Sequence, residues 1–377
     1  MTLFFEIIIW IVMILSLVYL MLIAVFTYGW FSLKSGFTPE TEPDVGVTII
    51  VAVRNEARNI NNLLNGLLQQ VYPRELMEVL IIDDHSEDDT PEIVRTFAGE
   101  HPELKIILLS SPGTGKKRAV AFGIDKSSHR FIITTDGDTI PDKRWIRKMT
   151  AFYQLYQPKI LLGPVVFINE KTFFQKMFSL DFISLVASGA GSAAAGLPFM
   201  GNAANMGFDK TIFSDKELQH DFASGDDVFL IHSVKTHYGG KAIMFLKDAH
   251  ALVTTRPPEN MKAFFNQRIR WASKAKGYRD SWSVVVSLTV LLFNLSVSVI
   301  FLAGLWWHWL LTIWFLFVLL KSFIDFPLVS SYARLTGKSN LLVYLLPVEL
   351  LYPWYVVITG IASLFVKYSW KGREGLR

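Results

Sequence analysis

Val79-Leu80-Ile81-Ile82-Asp83-Asp84-His85-Ser86 is an unbroken apolar run that ends on two carboxylates. A strand whose neighbouring residues are all apolar must be covered on both faces, the situation of a parallel sheet between helices. The pattern recurs on either side. Upstream, Val47-Thr48-Ile49-Ile50-Val51-Ala52-Val53 has the same β-branched character, and Ile60 to Gln70 carries Ile60, Leu63, Leu64, Leu67 and Leu68 at helical spacing. Downstream, Pro91 to Ala98 starts a helix, and Ile106 to Leu109 and Phe131 to Thr134 are further strands. Strands alternating with helices predict an α/β fold with a mostly parallel sheet. Such sheets bind ligands at the carboxyl ends of their strands. There this chain sets its acids: Asp83 and Asp84 after one strand, Asp136 and Asp138 after another.

The flanks of this polar stretch differ in kind. Of 377 residues 51% are hydrophobic and 19% charged, against about 25% charged in a typical soluble domain. The apolar excess lies at the two ends. Leu3 to Tyr28 is apolar except for Glu6 and a few hydroxyls, roughly 25 residues, enough to span about 30 Å of hydrocarbon. It lacks the basic start, the short apolar core and the small-residue cleavage site of a signal peptide, so residues 1–30 read as an anchor. Phe37 to Val45, with Pro39 and Pro43, reads as a linker. Val284 to Ser330 reads as two spans meeting at Trp306-Trp307-His308-Trp309, and Leu341 to Val366 as a third, interrupted by Pro347, Glu349 and Pro353. The expected organisation is an anchor, a catalytic domain over 46–280, about three membrane helices over 284–366, and a basic tail over 367–377.

Lys34 and the basic stretch Lys262 to Arg279 flank the polar domain, which places it in the cytosol with the N-terminus outside. Arg334 and Lys338 then fall in a cytosolic loop. Four spans would put Lys367, Lys371, Arg373 and Arg377 outside, so either the last segment is a re-entrant or broken hairpin or the tail violates the rule. The net charge of +4 is that of a membrane protein with a positive cytosolic side, and no basic–aromatic module for nucleic acid is present. Without cysteine, disulfides, thiolate catalysis and thiolate metal sites are excluded.

Four motifs carry chemistry. Asp136-Gly137-Asp138 presents two carboxylates past a strand, suited to one hard cation shared with substrate phosphates; it is also ordinary turn chemistry. Asp83-Asp84-His85-Ser86 and Asp226-Asp227 each read either as caps and turns or, for the latter, as a carboxylate poised to accept a hydroxyl proton. Gln267-Arg268-Ile269-Arg270-Trp271 offers two forked cations, an amide and an indole, a set suited to a diphosphate and equally found on a basic amphipathic helix at a membrane surface.

In this order, the motifs resemble those of the membrane-bound family 2 glycosyltransferases, the group that includes cellulose, chitin, hyaluronan and ceramide glucosyl-transferring enzymes. The likeness covers roughly residues 46 to 280, includes Val53-Arg54-Asn55-Glu56 as the opening strand and loop, and extends to the flanking helices. It implies a GT-A fold, a Rossmann-like nucleotide-sugar-binding sheet flanked by transmembrane helices. It further implies that Asp84 contacts the uracil or ribose, Asp136 supports the nucleotide and Asp138 ligates Mg²⁺ or Mn²⁺. Asp227 would be the general base with Asp226 beside it, the chain carrying Asp-Asp where many relatives carry Glu-Asp. Gln267 and Arg270 would hold the diphosphate, and Trp271 would pack at the acceptor end. Lys117 resembles the family's basic position before the third helix; Gly115-Lys116-Lys117-Arg118-Ala119 lacks the glycine and hydroxyl spacing of a P-loop.

The implied reaction is inverting transfer from a UDP-sugar to a membrane lipid, one sugar at a time, because about four spans are few for a polymer channel. A small processive polysaccharide synthase is the alternative, and a non-catalytic nucleotide-sugar-binding membrane protein or a transporter are remote ones. Lys171 to Leu185 reads as an amphipathic surface helix or a core helix. Ser188 to Asn205, rich in Gly and Ala, reads as a loop that moves over the donor or admits an acceptor, or as a flexible linker.

Overall fold

The computed structural model describes residues 2–36, 42–214, 227–365, 369–370 and 373–374. Much of the expected linker (37–41) and of the basic tail therefore lies outside the described residues. Contacts divide the chain into two units, one of residues 31–168 and 192–256, the other of 1–30, 169–191 and 257–377.

In the first unit, Val47–Val53 forms the central strand β1, buried along nearly its whole length. β2 (Met77–Asp83) and β4 (Phe131–Asp136) pair with it in parallel on either side, and β3 (Lys105–Ser110) lies beyond β2. β6 (Ile160–Leu162), β8 (Met206–Asp209) and β9 (Ile243–Phe245) complete a seven-stranded sheet of order β3-β2-β1-β4-β8-β6-β9. β8 runs antiparallel to both its neighbours, so the sheet is mixed and mostly parallel, as expected. A three-stranded sheet joins β5 (Ile140–Pro141), β10 (Val253–Thr255) and β7 (Val165–Phe167).

The helices between strands are α2 (Ile60–Leu68), α3 (Thr90–Glu100), α4 (Lys116–Lys126) and α5 (Trp145–Tyr156). Ile60, Leu63, Leu64 and Leu67 of α2 share one buried core with Ile49, Val51 and Val79 of the sheet. The helix stops two residues short of the sequence expectation. Gln70 instead turns its amide onto Gly66 O at 2.9 Å and Asp142 O at 2.8 Å, closing the turn before Pro73. α7 (Asp227–Tyr238) follows in the same unit.

The second unit is helical: α1 (Thr2–Ser32), α6 (Phe173–Ala194), α8 (Met261–Ser273), α9 (Ser281–Gly304), α10 (Trp309–Leu335) and α11 (Leu345–Phe365), some shared at their ends with the first. Among the described residues five helices are long and apolar enough to cross a membrane, at Ile9–Ser32, Phe173–Ala194, Ser281–Gly304, Trp309–Leu335 and Ser339–Phe365. Four match the expected spans. The break at Trp306 to Trp309 is present, and α11 runs through Pro353 without the interruption considered from its prolines.

The fifth, α6, decides between two readings and corrects a third. Residues 177 to 183 are buried on every side, the mark of a core helix and not of an amphipathic one. Gly189 to Ala194, read as the start of a loop, are helical. A Cβ on Gly191 would lie 2.1 Å from the backbone oxygen of Phe26, so the small residues let α6 approach α1. Elsewhere in this unit Lys321 pairs with Asp325 at 2.7 Å and Glu349 at 2.6 Å, and Tyr19 donates to Asp325 at 2.9 Å, joining α10, α11 and α1 through buried charges.

Candidate active site

Parallel register sets Val53 beside Asp83 and Ala52 beside Asp136, bringing the acids after β2 and β4 to one edge on either side of β1. Strand order reverses here, since β2 and β3 extend one way from β1 and β4 the other. That is the crevice where open α/β sheets bind ligands.

The loops after β1 and β2 are laced together. Buried Arg54 donates to Asp84 O at 3.0 Å, His85 O at 2.6 Å and Glu87 at 2.8 Å. Ser86 Oγ accepts from Asn55 N at 3.1 Å, and Asn55 Oδ1 accepts from Glu87 N at 2.8 Å. Asn55 (φ 52°) and His85 (φ 59°) occupy the left-handed region, which Asn and His enter more readily than other side chains. Asp84 is 1% exposed, and both its carboxylate oxygens accept the Gly115 N–H, at 2.9 and 3.0 Å. Gly115 has φ 103°, a conformation that favours glycine. Asp84 thus shapes the turn that opens α4, while Asp83 is half-buried and accepts Ser86 N at 3.1 Å.

Asp136 ends β4, and the following turn is closed by Thr139, whose N–H and Oγ1 donate to Asp136 O at 3.2 and 2.7 Å. A Cβ on Gly137 would lie 3.0 Å from Glu56 and 3.1 Å from Val53 side-chain carbons, so the tight passage favours glycine. Asp136 and Asp138 are both half-buried; Asp138 accepts from Thr255 of β10 at 3.2 Å. The ammonium of Lys116 pairs with Asp136. Lys117, picked from the sequence, is exposed. Adjacent residues on a helix point about 100° apart, so the place where α4 begins decides which lysine turns to the strand end.

Asp227 opens α7. Its Oδ2 accepts from Ala203 N at 3.1 Å, and its Oδ1 from its own successor Val228 N at 3.0 Å. The carbonyls of Ala203 and Ala204 accept from Thr134 at 2.9 Å and Thr135 at 2.8 Å. A two-alanine turn therefore links Asp227 to the strand whose end carries Asp136. Asp226 lies outside the described residues.

Two strongly shifted acids lie at the opposite edge of the sheet. Burial would raise Glu78, but hydrogen bonds from Lys105, Ser128 and Thr48 outweigh it and hold the carboxyl at about 2. Asp209 is likewise held at about 2, burial being outweighed by Arg130, Thr211 and Tyr153. Both are fully partnered and serve the fold.

Among the described residues no three or more His, Asp or Glu side chains gather as a metal site. Asp136 and Asp138 are hard oxygen donors that fit Mg²⁺ or Mn²⁺ when phosphate oxygens fill the remaining positions, the usual arrangement for these ions.

Gln267, Arg270 and Trp271 are half-buried on α8 in the helical unit, and Arg268 is buried, paired with Asp181. Sequence reasoning gave Arg54 and Lys116 no role although both lie inside stretches it read, and it missed the Thr134–Ala203 bond and the Asp181–Arg268 pair, which join distant residues with no local signal.

A model of glycosyl transferase family 2 matches residues 48–212, and one of glycosyl transferase family group 2 matches 131–363. Poly-beta-1,6-N-acetyl-D-glucosamine synthase of Staphylococcus epidermidis is 25% identical over 268 residues, 67% of this chain and 62% of its own. Beta-monoglucosyldiacylglycerol synthase of Trichormus variabilis is 42% identical over 71 residues, 19% of this chain and 15% of its own. The chain spans less than two thirds of the length of each of these curated relatives. Among solved structures, mannosyltransferase PcManGT from Pyrobaculum calidifontis, in complex with GDP-Man and Mn²⁺, superposes with a TM-score of 0.60 at 16% identity, over 95% of this chain and 97% of that one. The fold is GT-A. The chain belongs to glycosyl transferase family group 2.

Proposed function

We propose that this glycosyltransferase is an integral membrane enzyme that moves a single sugar from a UDP-sugar to a membrane lipid, with inversion. The observation that carries the reading is the two-alanine turn, which ties Asp227 to β4 and so to Asp136 and Asp138. A proton acceptor and a phosphate-side acid pair are then joined by hydrogen bonds within one unit.

Asp227 takes the proton of the acceptor hydroxyl. The acceptor oxygen bonds to the anomeric carbon as the bond from that carbon to the diphosphate oxygen breaks, and the nucleoside diphosphate leaves. Asp226 adjoins the base. Asp84, by fixing the Gly115 turn, shapes the nucleotide side; Asp136 supports the nucleotide, and Lys116 or Lys117 supplies positive charge there. Gln267 and Arg270 serve the diphosphate, and Trp271 the acceptor. Asp138, with Asp136, would hold Mg²⁺ or Mn²⁺, which neutralises charge on the diphosphate when bound. The catalytic region is 46–280, on the cytosolic side by its basic flanks, anchored by 1–30 and 284–366.

Likeness to a glucosyldiacylglycerol synthase supports a lipid acceptor. Likeness to a polysaccharide synthase over a longer stretch supports the second reading, a processive polymerase. Purified protein in lipid, given Mn²⁺ and a panel of nucleotide sugars, should release nucleoside diphosphate faster when lipid extract is added. Release from no donor would contradict the transferase reading, and release indifferent to lipid would contradict the acceptor.

A further inference from the structure

Arg268 has no part in the transfer outlined above, yet it is the buried residue of the Gln267 to Trp271 stretch, 5% exposed. Its guanidinium lies 4.8 Å from the ring centre of Phe264 and 4.4 Å from that of Trp271. Phe264 is in turn stacked on Phe178 of α6, with centres 4.1 Å apart and planes 7° from parallel. One guanidinium nitrogen donates to Asp181 of α6, and another approaches Gln267 Oε1 at 3.5 Å. Asp181 is 3% exposed, and its second oxygen accepts from Tyr355 of α11. One carboxylate therefore gathers α6, α8 and α11.

Stability alone does not account for this arrangement. A buried ion pair is frequently no better for stability than apolar side chains of the same volume. Arg268 Nε is moreover buried with no partner among the described residues, so the pair leaves one polar atom unsatisfied. What the pair provides is direction. A guanidinium is planar and rigid, and a carboxylate fixes both its position and its plane. An indole whose ring the fixed guanidinium faces is held in place by the attraction between cation and ring face.

We propose that Asp181 is a positioning residue of the transferase: acting through Arg268, it holds the indole of Trp271 in the orientation that receives the acceptor. The proposal rests on the reading of Trp271 as the acceptor-side surface. Without the Asp181 charge, Arg268 is an uncompensated buried cation and must turn toward water, taking away the cation that faces the Trp271 ring.

The test uses the full chain in nanodiscs, labelled with 5-fluorotryptophan, the Trp271 fluorine line being assigned by its loss in Trp271→Phe. Asp181→Asn and Arg268→Lys should displace that line while most lines of the other tryptophans stay in place, and Asp181→Glu should return it toward its original position. In parallel, Asp181→Asn should raise the acceptor KM about 10- to 100-fold, with donor KM changed by no more than about twofold. If Asp181→Asn does not fold, Tyr355→Phe removes one hydrogen bond from the same carboxylate and should displace the line less, in the same sense. A Trp271 line unmoved by all these changes overturns the role of Asp181, as does a displaced line with an unchanged acceptor KM. A wild-type chain that turns over no donor overturns the transferase reading and this role with it. Turnover with an unmoved line overturns the role alone.

Discussion

Ala203 donates its backbone N–H to Asp227 Oδ2 at 3.1 Å, while its carbonyl accepts from Thr134 Oγ1 at 2.9 Å. One peptide neighbourhood thus couples the first residue of α7 to the strand that ends in Asp136. With Asp227 as the base, Asp227→Asn should keep one of its two backbone hydrogen bonds, because the amide has a single accepting oxygen, and lose the proton acceptor. Transfer should fall about 10²-fold or more with donor affinity nearly unchanged. Steady-state rates set beside donor binding by calorimetry check this.

Lys116 and Lys117 are adjacent, and Lys116 is the one whose ammonium meets Asp136. Lys116→Gln should therefore raise donor KM by about tenfold, the scale of one charge-assisted hydrogen bond. Lys117→Gln, an exposed side chain, should change it less. A larger effect at Lys117 would return the role to the residue picked from the sequence.

Asp138→Asn removes a hard anionic oxygen from a pair that needs phosphate to complete a cation site. The Mn²⁺ concentration for half-maximal rate should rise about tenfold or more, and excess chelator should stop wild-type turnover. Activity in full chelator would rule out the metal role.

Much of this was legible because apolar β-branched runs ending in acids announce both a buried strand and its carboxyl end. Val47–Val53 was bounded correctly, and the expected mostly parallel sheet is found. The last turns of helix α6 were not legible: Gly189, Gly191 and their small neighbours look like a loop until the Phe26 backbone is known to lie against them. The same limit hid Asp181, 87 positions from Arg268. Choosing between Lys116 and Lys117 required the helix register, which neighbouring identical residues do not reveal.

Glu78 gives a pH prediction. Its folded pKa, about 2, lies below the ordinary 4.5, so the stability it contributes is present above about 4.5 and lost as the pH falls toward 2. The melting temperature of the wild-type chain should drop across that window. Glu78→Gln should be less stable at neutral pH and should show a shallower acid dependence there; equal slopes would contradict the assignment.

Lys321 lies between Asp325 and Glu349, and all three are at most 8% exposed. Lys321→Met would leave two carboxylates buried without their cation, at a cost of about 3–5 kcal/mol. Denaturation in detergent should show this loss, and Lys321→Met combined with Asp325→Leu and Glu349→Leu should recover much of it.

The most direct test of the central claim is the size of the product. Membranes carrying the protein would receive labelled UDP-sugars, Mn²⁺ and lipid extract, and the products would be extracted into organic solvent and weighed by mass spectrometry. The account predicts one organic-soluble species, a lipid heavier by a single sugar and absent with Asp227→Asn. Label in long water-soluble or insoluble chains would contradict it and make the protein a polysaccharide synthase.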